Sequence, residues 1–399
     1  MKTYVFVFCL LFFSLFLSGC WDRRELDQLA IAVAVGIDKV EDGYLLSAQV
    51  VVPSEMSVNG GTGRSQVTLF TARGETLYEA FRMMTKEAPR KIYPGHLRML
   101  VLGEELAQDG ISKPLDLLSR DYEIRPDFYV VVAKESTAEE ILNVTTIIES
   151  IPANKMFKSL SLSEQAWAGT KSINLDEIIT DLISDGKEAA ITGIELKGDP
   201  QLGASNQNVQ SITPAATLRY DNLAVFKGDK LVGWLTEVET VTYNYISNTV
   251  KTTVRTVPCP TETGGKANIE IIKSKAEVKG HVKNGKPEID INVKVQGNIG
   301  SVTCKIDLQD LETIAELEKN FENQGEKLGQ QAIETIQKNY NADIFGFGEA
   351  IHRSNPKEWH KLKDNWDEEF SNVTTNLKVD LKIHRTGTTN KTFLDKVKE

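Results

Sequence analysis

The chain has 399 residues, of which 41% are hydrophobic and 26% are charged, and its formal net charge is −10. This length predicts two or three domains, and the ordinary composition excludes a polytopic membrane protein and a mostly disordered chain. The acidic balance argues against nucleic-acid binding, because a negative surface repels the phosphate backbone, and four cysteines are too few for a disulfide scaffold.

Residues 1–19 have the features of a lipoprotein signal peptide. Lys2 precedes an uncharged apolar run at 4–17, which is shorter than the roughly 20 residues needed to span a bilayer. The run ends at Leu17-Ser18-Gly19-Cys20, which resembles a bacterial lipobox. We therefore expect cleavage before Cys20 and a diacylglycerol group on its thiol, because two acyl chains give firm anchoring. The alternatives are an ordinary leader with a chance cysteine or an uncleaved anchor.

Strand and helix patterns alternate through the first 140 or so residues. Strands are predicted at 29–38, 44–52, 66–72, 97–102 and 128–133, and helices at 77–84 and 111–118. The runs at 97–102 and 128–133 are continuously apolar, which is typical of central strands covered on both faces. Strands that alternate with helices predict an α/β-like mixed sheet in this part of the chain.

A polar stretch separates the two halves of the sequence. Two helices are predicted before it, at 153–170 and 174–183, the second with Asn174 as N-cap and Glu177 completing a capping box, and a strand follows at 189–196. We predict an N-terminal domain over 20–197, a linker at 198–212 and a C-terminal domain over 213–399. A division of the N-terminal domain into subdomains 20–150 and 151–197 is the finer alternative.

The C-terminal half has two strongly alternating strands with a long helical pattern between them. Apolar and polar residues alternate at 289–296 and 377–384, as in antiparallel strands with one buried face. The helical pattern at 308–340 has two apolar stripes, and we expect Gly325 to break or offset them. The predicted fold class is therefore α+β and multi-domain, with a C-terminal antiparallel sheet packed with long helices.

The sequence contains no recognisable catalytic or cofactor motif. GxGxxG, Walker A, HExxH and GxSxG patterns are absent, and no nucleophile stands beside a base at a familiar spacing. His352 and His360 lie near each other, but Pro356 interrupts the segment and no HxxxH pair or cysteine supports a metal site. We therefore expect no enzyme activity, no cofactor and no metal.

Two cysteines remain after Cys9 leaves with the leader and Cys20 takes the lipid. A bridge between Cys259 and Cys304 would close a 45-residue loop and contribute ~4 kcal/mol in the chain-entropy model. Sequence does not show that their Cβ atoms meet, so two separate buried thiols are the favoured interpretation and a disulfide is the alternative.

A run of mixed charge, Arg120-Asp121-Tyr122-Glu123-Ile124-Arg125, follows the helix predicted at 111–118. One interpretation is a solvated turn whose exposed ion pairs add little stability. The other is a network of bidentate arginine–carboxylate bonds that holds two domains or a partner in place. The composition of the run favours the solvated turn.

Several local patterns, taken in chain order, match one family. They are Cys20-Trp21-Asp22-Arg23-Arg24-Glu25-Leu26, Ala34-Val35-Gly36-Ile37-Asp38, the run from Arg120 to Arg125, Gly297-Asn298-Ile299-Gly300, Asp343-Ile344-Phe345-Gly346-Phe347-Gly348, and Trp359, Trp366 and Phe370. The chain resembles the C subunit of nutrient germinant receptors of endospore-forming bacteria, the spore germination lipoproteins. The resemblance covers essentially the whole mature chain, and the Cys-Trp-Asp start and the segment at 343–348 are its most specific parts.

The resemblance implies a non-enzymatic lipoprotein on the outer face of the spore inner membrane. It implies two integral-membrane partners, a polytopic A subunit and a permease-like B subunit, and a need for the chain in nutrient-triggered germination. Cys20 is carried over as the lipidated residue. The family-typical positions carried over as candidate structural or interface residues are Arg120, Asp121, Glu123, Arg125, Asp343 and Phe345. The alternative functions are a solute-binding lipoprotein and a cell-wall hydrolase.

Overall fold

The structure, a computed structural model, describes residue 4 and residues 25–56, 64–260 and 264–385. Cys20, most of the predicted leader and residues 386–399 lie outside these ranges. Within them the strands form two sheets. The first sheet contains β1 (Leu29–Val40), β2 (Gly43–Val51), β3 (Val67–Gly74), β4 (Lys91–Tyr93), β5 (Met99–Leu102), β6 (Tyr129–Ala133), β7 (Ala190–Gly198), β8 (Ala216–Lys227) and β9 (Lys230–Trp234). The second sheet contains β10 (Thr253–Pro258), β11 (Lys266–Lys283), β12 (Lys286–Val302) and β13 (Thr374–Arg385).

Helices follow most of the strands. Those of the first half are α1 (Leu77–Met83), α2 (Glu104–Asp109), α3 (Ser112–Arg120), α4 (Ala138–Leu142), α5 (Pro152–Ala166), α6 (Leu175–Leu182), α7 (Pro200–Gly203) and α8 (Gln207–Gln210). Those of the second half are α9 (Glu237–Ile246), α10 (Leu311–Tyr340), α11 (Phe347–Ser354), α12 (Pro356–Leu362) and α13 (Trp366–Asn372). Short 3-10 turns lie at Leu26–Gln28, Pro53–Met56, Met84–Lys86 and Lys363–Asn365. This mixture of helices and sheets confirms the predicted α+β class.

The first sheet has a parallel centre and antiparallel edges. Its strand order is β3-β2-β1-β5-β6-β7-β8-β9, and β4 pairs with the beginning of β1. Strands β1, β5, β6 and β7 run parallel, as expected of strands joined through helices. Helices α1, α2, α3 and α6 cover one face, and α4 and α5 cover the other. Both faces are therefore dry, which explains the continuous apolar runs of the central strands.

The first sheet continues past the predicted linker. Strand β7 ends at Gly198, and the chain returns through α7 and α8 to β8, which pairs with β7 in the antiparallel direction. Strand β9 then pairs with β8. Residues 216–234, placed by the sequence at the start of the C-terminal domain, thus complete the first sheet, and the domain boundaries stay a prediction.

The second sheet has the order β10-β11-β12-β13. Strands β10, β11 and β12 pair in the antiparallel direction, but β13 runs parallel to β12. The expectation of a wholly antiparallel sheet is corrected here. Alternation of apolar and polar residues shows that one face of a strand is covered, but it carries no information about the direction of the strand. The crossover through α10 returns the chain to the end of the sheet where β12 begins, so β13 runs parallel to β12.

Helix α10 runs without a break from Leu311 to Tyr340, so the expectation that Gly325 breaks the helix is wrong, and an offset between the two apolar stripes stays a prediction. Glycine weakens a helix by about 1 kcal/mol relative to alanine, but packing against β13 outweighs that local cost. One turn later, a Cβ atom at Gly329 would lie 2.5 Å from Cδ2 of Leu377 in β13. Glycine at 329 therefore lets the helix approach the sheet closely.

The same helix covers the free edge of β13. Its residues Glu318, Glu322 and Glu326 lie at successive turns of one helix face. Their carboxylates accept hydrogen bonds from the backbone N–H groups of Ile383 (2.8 Å), Leu381 (3.0 Å) and Val379 (3.1 Å), respectively. A row of open N–H groups invites pairing with another chain. The three glutamates satisfy these groups, and the long edge strand is protected.

Candidate functional site

The segment Asp343–Gly348, one of the patterns on which the family resemblance was based, surrounds a buried carboxylate. Asp343 is 2% exposed. Its Oδ1 accepts a hydrogen bond from the N–H of Phe347 (3.0 Å), and its Oδ2 accepts from the N–H of Gly348 (2.8 Å) and from Nε1–H of Trp366 (2.9 Å). Burial raises the pKa of Asp343 to about 6, although these donors favour the carboxylate and oppose the rise.

This segment joins the two halves of the chain. The carbonyl of Asp343 accepts a hydrogen bond from the N–H of Glu188, two residues before β7, at 2.9 Å. Gly348 meets Gly186 so closely that a Cβ atom at 348 would lie 2.7 Å from the Cα of Gly186. The hydroxyl of Ser184 donates to Glu349 at 3.0 Å. The backbone of α11 is therefore fitted against the loop that leads into the first sheet.

Phe345 belongs to the same internal contact. Its side chain is 8% exposed, and its ring lies 5.0 Å from that of Phe347 and 6.2 Å from that of Tyr243. Asp343 and Phe345, carried over as candidate structural or interface residues, are thus buried inside the chain. Asp343 joins the two halves through Glu188, whereas the ring contacts of Phe345 lie within the second half.

The charged run at 120–125 lies on the surface after α3. Arg120 bonds Asp116 one turn earlier (2.9 Å), and the Asp121 carboxylate accepts from the N–H of Glu123 (2.9 Å). Glu123 binds Lys91 of β4 at 2.6 Å, and Arg125 is exposed. Arginine–carboxylate forks between members of the run are not observed in this described segment, and the ion pairs of Arg120 and Glu123 are made with Asp116 and Lys91, outside the run.

Beside this run lies a surface groove of about 410 Å³ between α1, β4 and the end of α3. Arg120, Asp121 and Glu123 line it together with the aromatic residues Tyr78 and Tyr122. Tyr78 is 58% exposed and Tyr122 is 84% exposed. Exposed tyrosines among mixed charges are typical of protein contact surfaces. The "tyrosine groove", defined by these five residues, is the accessible one of the two family-typical regions.

Cys259 and Cys304 form a disulfide, which was the alternative left open by the sequence. The bridge connects the end of β10 with the segment that follows β12, and both residues belong to the core of the second half. Gly265 packs against it, since a Cβ atom there would lie 2.8 Å from Cβ of Cys304. The bridge therefore ties the end of the second sheet to its core.

A second groove was missed by the sequence interpretation. It has a volume of about 370 Å³ and lies between α9, α10 and the second sheet. Gly325 and Gly329 line it from α10. Two glycines four residues apart in a helical pattern are the signal that would have indicated a concave helix face there.

The described residues offer neither a metal centre nor a membrane span. None of their His, Cys, Asp and Glu side chains form a group of three or more that could hold an ion. Among the same residues, every helix is too short or too polar to cross a bilayer.

Known proteins that resemble this chain share nearly its whole length. Spore germination protein KC of Bacillus subtilis (strain 168) is 33% identical over 382 residues, which cover 94% of this chain and 93% of that protein. Two family models divide the sequence between them: "Spore germination protein N-terminal domain" matches residues 22–196, and "Spore germination B3/GerAC like, C-terminal" matches residues 221–387. The chain belongs to the GerAC-like family of spore germination proteins.

Other GerAC-like relatives extend the comparison. Spore germination protein B3 of Bacillus subtilis (strain 168) is 27% identical over 391 residues, covering 96% of this chain and 98% of the relative. The crystal structure of the GerBC protein matches with a TM-score of 0.52 and 23% identity, over 90% of this chain and 99% of that chain. This likeness shows a shared fold, and the family inferred from the sequence motifs is confirmed.

Proposed function

We propose that the chain is a lipid-anchored, non-catalytic subunit of a nutrient germinant receptor and is required for nutrient-triggered germination of spores. The observation that carries the proposal is the 33% identity to a spore germination protein over 94% of the chain. By its resemblance to receptor C subunits, the chain would assemble with a polytopic A subunit and a permease-like B subunit on the outer face of the spore inner membrane. Anchoring raises the local concentration of such partners.

The position of β1 supports an anchor at Cys20. Leu29, where β1 begins, is nine positions after Cys20, and this stretch of chain spans at most ~30 Å. Strand β3 begins at the same end of the sheet, because β1 pairs with β2 and β2 with β3 in opposite directions. Gln66, directly before β3, bonds Ser150. The loop that contains Ser150 therefore lies at the end of the first sheet from which the anchor would extend.

The loop at that end, and a segment that packs beside it, expose apolar side chains. Ile148 is 96% exposed and Ile147 is 50% exposed. Thr145, two residues earlier, bonds the carbonyl of Gly203, and its own carbonyl accepts from Asn208, so the segment with α7 and α8 packs beside the loop. That segment adds exposed Leu202, Val209 and Ile212. We call these five apolar side chains the anchor-end surface and propose that it faces lipid.

The tyrosine groove is the proposed contact with the membrane partners. It combines two exposed aromatic rings with charges of both signs, and such surfaces give specific recognition. It lies on the helix-covered face formed by α1 and α3, whereas the loop around Ile148 precedes α5 on the other face. Lipid and protein contacts would then use separate faces of the first half.

The anchor is tested in spores with two cysteine variants. Cys20→Ala is expected to abolish acyl labelling, to release the chain from membranes and to reduce the response to the nutrients that depend on it. Cys9→Ala, inside the leader, is the matched control and is expected to behave as the wild type. Equal membrane binding and equal acyl labelling of Cys20→Ala and wild type would refute the lipid anchor.

The receptor role is tested by deletion and by pulldown from spore membranes. Deleting the gene should leave spore formation intact and abolish germination with a subset of nutrients. An unchanged response to every nutrient in a strain without paralogues contradicts the proposal. For the partner surface, Tyr122→Ala should reduce recovery of the membrane partners, while Leu311→Ala, an equally exposed apolar position at the start of α10, should not.

A further inference from the structure

The apolar groove between α9, α10 and the second sheet has the form of a binding site. Residues of both halves contribute, because Trp167, directly after α5, lines it beside the later elements. The apolar side chains Trp167, Val238, Val254 and Leu328 remain 38% to 46% exposed there. Pockets for small ligands are typically a few hundred Å³ in volume, mostly apolar and located where domains meet. The volume of about 370 Å³ agrees with that description.

Arg255 lines the groove without a counterion among the described residues. Its side chain is only partly exposed, and within the same part of the chain its guanidinium forms no ion pair with a carboxylate. The guanidinium lies 6.0 Å from the centroid of the Tyr245 ring, and the Tyr245 hydroxyl lies beside it. A partly buried charge is usually paired with an opposite charge. A ligand that brings an anionic group would supply the missing counterion.

The chemistry of these atoms selects the ligand class. A guanidinium nitrogen donates only, and its planar fork matches the two oxygens of a carboxylate. Burial raises the pKa of Tyr245, although the charge and hydrogen bond of Arg255 oppose the rise, so the phenol beside Arg255 stays neutral and does not balance its charge. Glu237, the acidic side chain of the groove, is exposed on the first turn of α9, where solvent and the helix N-terminus stabilise its charge.

We propose that this groove binds a monocarboxylate with an apolar chain, its carboxylate held by Arg255 and its hydrocarbon lying along Val238, Leu328 and Gly325. The charge of Arg255 selects an anionic head group, and the apolar walls select a hydrocarbon chain. The inference goes beyond the receptor role and does not rest on it, because binding is measured on the isolated protein.

Gly325 offers a way to fill the groove without disturbing the fold. A Cβ atom there would lie 3.5 Å from the nearest atom, Cγ2 of Val379, which is ordinary van der Waals contact. Alanine at 325 is therefore tolerated, and a leucine would project into the groove. Arg255→Met removes the positive charge and keeps an apolar chain of similar length, so these changes separate loss of space from loss of charge.

The test uses the mature chain, residues 20–399, produced without its leader, and 1-anilinonaphthalene-8-sulfonate as the fluorescent anionic probe. Octanoate is expected to displace the probe at one site per chain, and 1-octanol and octylammonium to do so at least tenfold less well, since hydrogen bonds to charged groups contribute that much. Arg255→Met should weaken octanoate about tenfold or more and leave 1-octanol unchanged. Gly325→Leu should abolish displacement of the probe by octanoate and by 1-octanol. Gly325→Ala should have an unchanged circular-dichroism melt and should retain part of this displacement.

Three results would overturn the proposal. The first is octanoate binding that is absent, non-saturable or indifferent to Arg255→Met in a variant that melts like the wild type. The second is binding that appears only after residues 386–399 are deleted, because the occupant would then be the chain's own C-terminal segment. The third is a dimer in analytical ultracentrifugation that Val238→Asp converts to a monomer, which would make the groove an interface between copies.

Discussion

The central strands of the first sheet lie between two layers of helices, whereas the second sheet has helices on one face and exposes the other. In β5, Met99–Leu102, every residue is buried. In β12, apolar residues such as Ile291 and Val293 point to the core and alternate with more exposed polar residues. The first sheet is therefore stabilised by burial on both faces, and the second depends more on individual cross-links.

Three individual sets of contacts stabilise the second sheet and its helices. Helix α10 covers its edge with glutamates, the disulfide ties its end to the core, and Asp343 holds the helices after α10 against the first half. Breaking each of them tests how far the second half depends on few contacts.

Asp343→Ala should have the largest effect on stability. It leaves the N–H donors of Phe347, Gly348 and Trp366 buried without an acceptor, and each such loss costs about 1–3 kcal/mol. Because three donors lose their acceptor together, we expect the free energy of unfolding in urea to fall by about 5 kcal/mol or more. The control is Asp367→Ala, which removes a half-exposed ion pair with Lys227 across the same junction and should cost about 1 kcal/mol or less. Equal losses in the two variants would contradict a buried hub at Asp343.

Removal of the disulfide should weaken the second sheet and spare the first. The bridge closes a 45-residue loop, for which the chain-entropy model gives about 4 kcal/mol. In Cys259→Ser combined with Cys304→Ser, hydrogen exchange in β10 and β11 should accelerate while β5 and β6 stay protected. Treating the wild type with a reductant should reproduce the effect and leave the double variant unchanged. Uniform acceleration in both sheets would show that the sheets unfold as one unit.

Two glycines of α10 separate helix propensity from helix–sheet contact. Replacement of either glycine by alanine should stabilise the helix by about 1 kcal/mol through its higher helix propensity. At Gly329 the new Cβ would overlap Leu377 at 2.5 Å, and overpacking of this kind costs about 1–3 kcal/mol. At Gly325 the nearest atom is 3.5 Å away. In thermal melts, Gly325→Ala should therefore have a melting temperature equal to or above that of the wild type. Gly329→Ala should melt at a lower temperature than Gly325→Ala. The reverse order is incompatible with the described packing.

The junction should also respond to pH. Burial raises the pKa of Glu188 from 4.5 to about 7, helped by the carboxylates of Asp367 and Asp343 and opposed by the N–H of Gly228. The folded state therefore binds a proton more tightly than the unfolded chain. This contribution is fully present below pH 4.5 and is lost as the pH rises to about 7.

Glu188→Gln should accordingly flatten the dependence of the urea midpoint on pH in this window. The expected change is about 1 kcal/mol, the smallest of the series, because part of the side chain meets solvent. Glu316→Gln, on the exposed side of α10, is the control and should retain the slope of the wild type. A wild-type stability that rises between pH 5 and 7 would contradict a protonated Glu188 at the junction.

Elements with a local sequence pattern could be predicted from the sequence alone. Continuous apolar runs marked β5 and β6, alternation marked β12 and β13, and Asn174 with Glu177 marked the start of α6, where the structure shows the capping box. The motifs also identified the family. These features follow from side-chain period and from hydrogen bonds between residues a few positions apart, which need no knowledge of the rest of the chain.

Features that depend on distant residues follow from the folded structure and could not be predicted from the sequence. Packing against β13 keeps α10 continuous through Gly325, and pairing with β7 assigns β8 to the first sheet. The direction of β13, the bridge at Cys259 and the burial of Asp343 have the same origin. Each depends on which surfaces meet after the chain has folded, because a local pattern fixes what a face is made of but not what lies against it.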